Sequence, residues 1–232
     1  PSVDGLGTAG PRPSDAVSRQ ARLGQAIGRQ SIQAELDFEL LRGIADFRFL
    51  STQAADKQAH LNSPEPGSQL APQDLAQLRA EHCQVQIVVS DGLSAPAVHH
   101  NLADLMAVLS DGLEANQVSV GRPIAARYGR VKLAEQIADR LGCRVVIMLL
   151  GERPGGDVAA AQSLSAYLLH WPADQAKAAE AAVEYSVISN IHSGGLPPVE
   201  AGGVILEKTL QILAFGAAGN RLEALLSETR KC

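Results

Sequence analysis

Two short runs constrain this chain more than anything else in it: Gln84–Ser90 (QVQIVVS) and Cys143–Leu150 (CRVVIMLL). Each is a β-branched, apolar stretch of the kind that forms a strand buried on both faces. Helical spacing follows the first and precedes the second. Val98, Leu102, Leu105, Leu109 and Leu113 fall on one stripe, and Ala134, Ile137, Ala138 and Leu141 fall on another within Val131–Leu141. Further strands are predicted at Arg122–Arg127, Ser163–His170 and Glu184–Asn190, and a short helix at Ala176–Ala182. A long helix runs from Pro198 to about Ala214, with Pro198 near its first turn, where a missing N–H costs nothing. Strands alternating with helices predict an α/β fold built on a doubly wound, mostly parallel, Rossmann-like sheet.

The first third reads differently. From Pro1 to about Arg29 the chain carries Gly5, Gly7, Gly10, Pro11 and Pro13, which predicts a flexible arm leading into a helix. Leu36, Leu40, Ile44 and Phe47 then recur at helical steps, and the breaker cluster Asn62–Gly67 closes that region. Asp74–Glu81 is again helical in pattern. The expected boundary lies near residue 80, dividing a smaller helical N-terminal region (1–80) from an α/β domain (81–232).

Composition narrows the function classes. Apolar residues are 46% of the chain, ample for a core, while aromatics are only 3%, so that core must be made of Ala, Leu, Val and Ile. Twenty basic against twenty-five acidic side chains leave a net charge of −5, which argues against nucleic acid as the main partner. The longest strongly apolar run, Val145–Leu150, is far short of the ~20 residues that span a bilayer. The three cysteines (Cys83, Cys143 and Cys232) are widely spaced with no CxxC, which fits a reducing compartment and a cytoplasmic protein.

In open α/β sheets, ligands sit beyond the carboxyl ends of the strands. That rule collects Ser90–Ser94, Arg127–Val131, Gly151–Gly156 and Asn190–Gly195, four loops that combine glycines with polar or charged residues. Other motifs fall away on inspection. Gly5–Gly10 fits GxGxxG by letter, but no strand precedes it and Pro11 and Pro13 break any following helix. His99 and His100 are adjacent on a helix and face different ways, so they cannot grip one metal. Cys143 opens a buried strand and reads as core. Asn190–Gly195 nearly matches the DxHxxG pattern of cobalt-ligating histidines. With Asn190 in place of the orienting Asp, His192 reads as hydrogen-bonded structure. Glu152, directly after the most apolar strand, is the carboxylate best placed to accept hydrogen bonds from a ligand. No second carboxylate, Ser/His/Asp set or Cys/His pair can be assembled with it. By their own chemistry the residues support a ligand-binding α/β domain. A stand-alone corrinoid- or nucleotide-binding module and an independent Rossmann-type enzyme stay open at this point.

The segments VVSDGLSA (Val88–Ala95), RYGRVKLAEQIADRLG (Arg127–Gly142), VVIMLLGERPG (Val145–Gly155) and ISNIHSGGLPPVEA (Ile188–Ala201) resemble the small (light) subunit of ethanolamine ammonia-lyase. The likeness runs from about Gln84 to the C-terminal helix and is looser in the N-terminal third, through Ala21–Leu41 and His60–Leu70. It implies an adenosylcobalamin-dependent eliminase that turns ethanolamine into acetaldehyde and ammonia. The large TIM-barrel subunit would carry the radical chemistry, and the small subunit would cover the cofactor, in a hetero-oligomer of six copies each. A cytoplasmic location, including the interior of a bacterial microcompartment, goes with it. The family binds cobalamin base-on, so His192 is not expected to ligate cobalt. Three positions match the family's corrinoid contacts: Val131 within RYGRVK, Glu152 within GERPG, and Val187 just before ISN, where the family commonly has Cys. The resemblance implies no catalytic residue and no metal ligand on this chain.

Overall fold

The two diagnostic runs lie side by side. In the computed structural model, which describes residues 31–152, 162–172 and 183–229 with isolated positions between 8 and 22, both are central strands of one six-stranded sheet. Its strands are β1 (Arg48–Ser51), β2 (Val85–Ser90), β3 (Ile124–Arg127), β4 (Val145–Gly151), β5 (Leu164–His170) and β6 (Tyr185–Ile191). Their order across the sheet is β1-β3-β2-β4-β5-β6. The expected arm before Arg29, apart from those isolated positions, and the expected helix at Ala176–Ala182 lie outside the described residues.

The α/β class holds, but the sheet is mixed. β1, β3, β2 and β4 pair in parallel, with Val85 opposite Val145 and Arg48 opposite Ile124. β5 runs antiparallel to β4, and β6 antiparallel to β5, so the expected doubly wound, mostly parallel, Rossmann-like sheet is met only in part: the sheet is partly antiparallel. Burial differs between the centre of the sheet and its last strand. β4 is buried at every position, whereas β6 mixes buried with exposed positions and bears Ser186, Ser189 and Asn190. A strand with one solvated face suits an antiparallel margin, not the helix-covered interior of a parallel sheet.

Because side chains alternate along a strand, β2 and β4 feed two cores. Val85, Ile87, Val89, Val145, Ile147 and Leu149 face one side, where α4 (Ala95–Ala115), α6 (Pro198–Phe215) and α7 (Gly219–Thr229) pack. Val88, Val146, Met148 and Leu150 face the other, under α5 (Leu133–Leu141). The sheet does not stop at residue 80. Its edge strand β1 comes from the N-terminal side of that position and is followed by α2 (Lys57–Asn62) and α3 (Pro72–Gln77). The helix expected from Leu36 to Phe47 is the short α1 (Phe38–Arg42), capped by the Asp37 carboxylate at 2.9 Å from Glu39 N and ended at Gly43. No single helix among the described residues is long and apolar enough to cross a membrane.

Candidate functional site

Two successive antiparallel pairings reverse direction twice, so β6 points the same way as β4. The Ser90–Ser94, Arg127–Val131 and Asn190–Gly195 loops therefore emerge at one edge with Gly151, the end of β4. Residues 153–156 of the fourth loop lie outside the described residues. Backbone packing locks this edge. A Cβ on Gly151 would stand 1.9 Å from the Ser94 carbonyl oxygen and 2.6 Å from that of Asp91. Gly151 O accepts from Leu93 N at 2.8 Å, and Gly92 adopts φ +49° beside it.

Beneath the edge lies a buried charge pair that sequence reasoning missed. Lys57 Nζ from α2 donates to Asp91 Oδ2 at 2.7 Å, with the two side chains 7% and 0% exposed. The other oxygen, Oδ1, accepts from Tyr128 N at 2.7 Å and from Ser90 Oγ at 3.1 Å. Ser90 Oγ in turn accepts from Gly129 N at 2.7 Å. His60, fully buried, donates Nε2–H to the Gly92 carbonyl at 2.8 Å, while its Nδ1 has no partner among the described residues. Burial, aided by the Arg130 guanidinium and Lys57, holds the His60 imidazole below the usual histidine range against the pull of Asp91 and the Gly92 carbonyl. Tyr128 is left-handed at φ +62°, a conformation that costs a non-glycine residue on the order of 1 kcal/mol or more and needs firm anchors. Its hydroxyl donates to Glu35, and burial and the negative charge of Glu35 push the phenol above its usual range.

The three positions carried by resemblance lie on the α5 side of the sheet. Glu152 leaves β4 and accepts from Tyr167 OH at 2.7 Å through Oε1, while its backbone N–H donates to Ser163 O at 2.9 Å. Burial and the Glu152 charge raise the Tyr167 phenol, so it serves as a fully protonated donor. Val187 is the direct cross-strand partner of Tyr167 and is 51% exposed. Two residues before it, Tyr185 donates to Glu135 of α5 at 2.9 Å. Val131, one helical turn before Glu135, packs on the same apolar cluster as Tyr167 and Tyr185. Val131, Glu135, Tyr185, Val187, Tyr167 and Glu152 thus form one chain of neighbours across α5 and the antiparallel margin. Beside Val131 opens a groove of about 800 Å³, with Ser68, Gln69, Arg130, Lys132 and Gln136 among its walls. The two tyrosines and Glu135 gave no signal in the sequence beyond their place on predicted elements.

The remaining candidates are spent on structure. His192 uses both ring nitrogens within its loop: Nδ1 accepts from Gly194 N at 3.1 Å, and Nε2 bonds Asn190 Oδ1 at 2.8 Å. His99 Nε2 accepts from Asp37 N at 2.9 Å. Cys143 is buried, and its thiol is pushed up by its hydrogen bond with Cys83 and by burial. Among the described residues no group of three or more His, Cys, Asp or Glu side chains is arranged to hold a metal.

Fold and site together define a class: an α/β domain that gathers its polar loops at one sheet edge, as ligand-binding domains of this architecture do. The particular family follows from the sequence. The model of the ethanolamine ammonia-lyase light chain (EutC) family matches residues 3–223, and the chain belongs to that family. The match takes in the N-terminal third, where the motif likeness is loose. Membership makes this chain a lyase subunit, and a light chain implies a large subunit as its partner.

Proposed function

We propose that this chain holds adenosylcobalamin in an ethanolamine ammonia-lyase, through Val131, Glu152 and Val187, while the large subunit carries the reaction. Six copies of each subunit and base-on binding belong to the same reading. The observation that carries it is that Tyr167 bonds Glu152 and stands opposite the exposed Val187, while Tyr185 bonds Glu135 and Val131 packs on the same apolar cluster as both tyrosines. An exposed valine between two carboxylate-anchored tyrosines fits a broad apolar ring bordered by amide groups. When bound, the cofactor supplies the radical chemistry that converts ethanolamine to acetaldehyde and ammonia. The chain's own residues bind and orient. Glu152 gives one oxygen to Tyr167, and a carboxylate offers about four lone-pair sites, so acceptor capacity remains for amide donors. Val187 contributes apolar area where the family commonly has a thiol. Val131 and the adjoining groove wall would add further apolar and polar contact.

The test is Glu152→Gln in the complex with the large subunit, with cobalamin binding followed by absorbance titration. Losing a charge-assisted hydrogen bond costs about 1.5–3 kcal/mol, so the dissociation constant should rise by roughly one to two decades. Unchanged affinity with a collapsed turnover number would place Glu152 in the chemistry instead and refute this assignment.

A further inference from the structure

The Lys57–Asp91 pair is an expensive thing to bury. Apolar residues of the same volume commonly serve stability as well or better, so stability alone does not explain it. What the pair touches does. Asp91 Oδ1 holds Tyr128 N at 2.7 Å, and Ser90 Oγ, bonded to the same oxygen, holds Gly129 N at 2.7 Å. On the far side, Arg130 N donates to Gly67 O at 2.8 Å, and Thr52 Oγ1 reaches the Arg127 carbonyl at 3.0 Å. Gly67 sits so close that a Cβ there would lie 2.5 Å from Tyr128 O. Every residue from Arg127 to Arg130 is thus tethered, and the tethers hold a left-handed tyrosine, a conformation that survives only where the surroundings over-determine it. The next residue is Val131, at the head of α5 and in the wall of the 800 Å³ groove.

We propose that the buried Lys57–Asp91 pair is a positioning device for the cofactor loop. Asp91 suspends the turn at Tyr128, Lys57 balances the buried charge of its carboxylate, and Val131 is thereby set in place before the ligand arrives. The inference rests on the cofactor reading given above and adds to it a pair that never touches the ligand. It also gives the N-terminal region a role: α2 delivers Lys57, with Asp56 capping the helix at 2.7 Å from Ala59 N.

The test uses the complex with the large subunit and two paired replacements. Lys57→Met with Asp91→Asn removes both charges but keeps an oxygen for Tyr128 N. Lys57→Met with Asp91→Leu removes the charges and the acceptor together. The Asn form should bind cobalamin within about threefold of wild type, and the Leu form about tenfold or more weakly, the scale of one lost hydrogen bond. Hydrogen exchange at the Tyr128 amide should accelerate in the Leu form and not in the Asn form, a contrast that general destabilisation would not produce. If the Leu form does not assemble, Ser90→Ala removes the Gly129 acceptor alone and should speed exchange there and weaken binding. Wild-type affinity in the Leu form, or in Ser90→Ala where that stands in, sinks the inference. If Glu152→Gln is weakened at the same time, the cofactor site itself survives. If Glu152→Gln is also unaffected, the cofactor reading falls and the positioning role with it.

Discussion

At the scale of single residues, His60 makes the sharpest statement about solution behaviour. Its Nε2–H is committed to Gly92 O, so protonation would place a second N–H on a buried Nδ1 that faces Gly67 and lies near Arg130 and Lys57. The folded imidazole titrates below its unfolded value of about 6.5. Between the two values the unfolded chain binds the extra proton, so stability is full above about pH 6.5 and is lost as the pH falls toward the folded value. Thermal melts of the chain should therefore show a lower Tm at pH 5.5 than at pH 7.5. His60→Gln, which keeps a donor for Gly92, should flatten part of that slope. The remainder belongs to His99 and His170, both also held low by burial. An unchanged slope in the variant would mean that His60 is not the titrating group. None of this was visible in the sequence. His60 and Lys57 lie just before the breaker cluster Asn62–Gly67 with no periodicity to mark them, and Asp91 meets a lysine 34 positions away only because β1 docks beside β3. Strand-end logic did point to the loops at Ser90–Ser94 and Arg127–Val131, because glycines and polar residues crowd there for local reasons.

Elements were legible where burial imposes a period. α4, α5 and α6 follow stripes of Leu, Ile, Val and Ala, and β2 and β4 are read within two residues at either end because both of their faces are covered. Direction was less legible. The placement of β5 and β6 as strands holds, but their sense depends on which strand each pairs with, and no residue type encodes that. α1 is shorter than its apolar spacing because Gly43 ends it and the Arg48–Ser51 segment goes into the sheet. The close interlock at the edge yields an element-scale prediction. Gly151→Ala should lower unfolding stability by about 1–3 kcal/mol, because the added methyl group must displace backbone of the Ser90–Ser94 loop. A denaturant midpoint equal to that of wild type would show that the loop yields freely.

For the whole molecule, the decisive question is what the chain can do without its partner. Its described residues assemble polar anchors, with Glu152 bonded to Tyr167 and Asp91 to Lys57, and the proposed division of labour leaves the reaction to the large subunit. The chain alone, given ethanolamine and adenosylcobalamin, should release no acetaldehyde. Turnover by the purified chain, free of other protein, would overturn that division of labour.

The edge strand β1 carries a consequence for how such a chain is made. Arg48 has no sheet partner until Ile124 exists, roughly 76 residues later. At ribosomal rates of about 5–20 residues per second, that is a wait of some 4–15 s. Over that interval the nascent segment holds an unpaired strand and a lysine whose carboxylate anchor follows 34 residues behind it. The edge strand therefore leaves the ribosome well before the strand it pairs with, while the β4–β5–β6 margin is still to come.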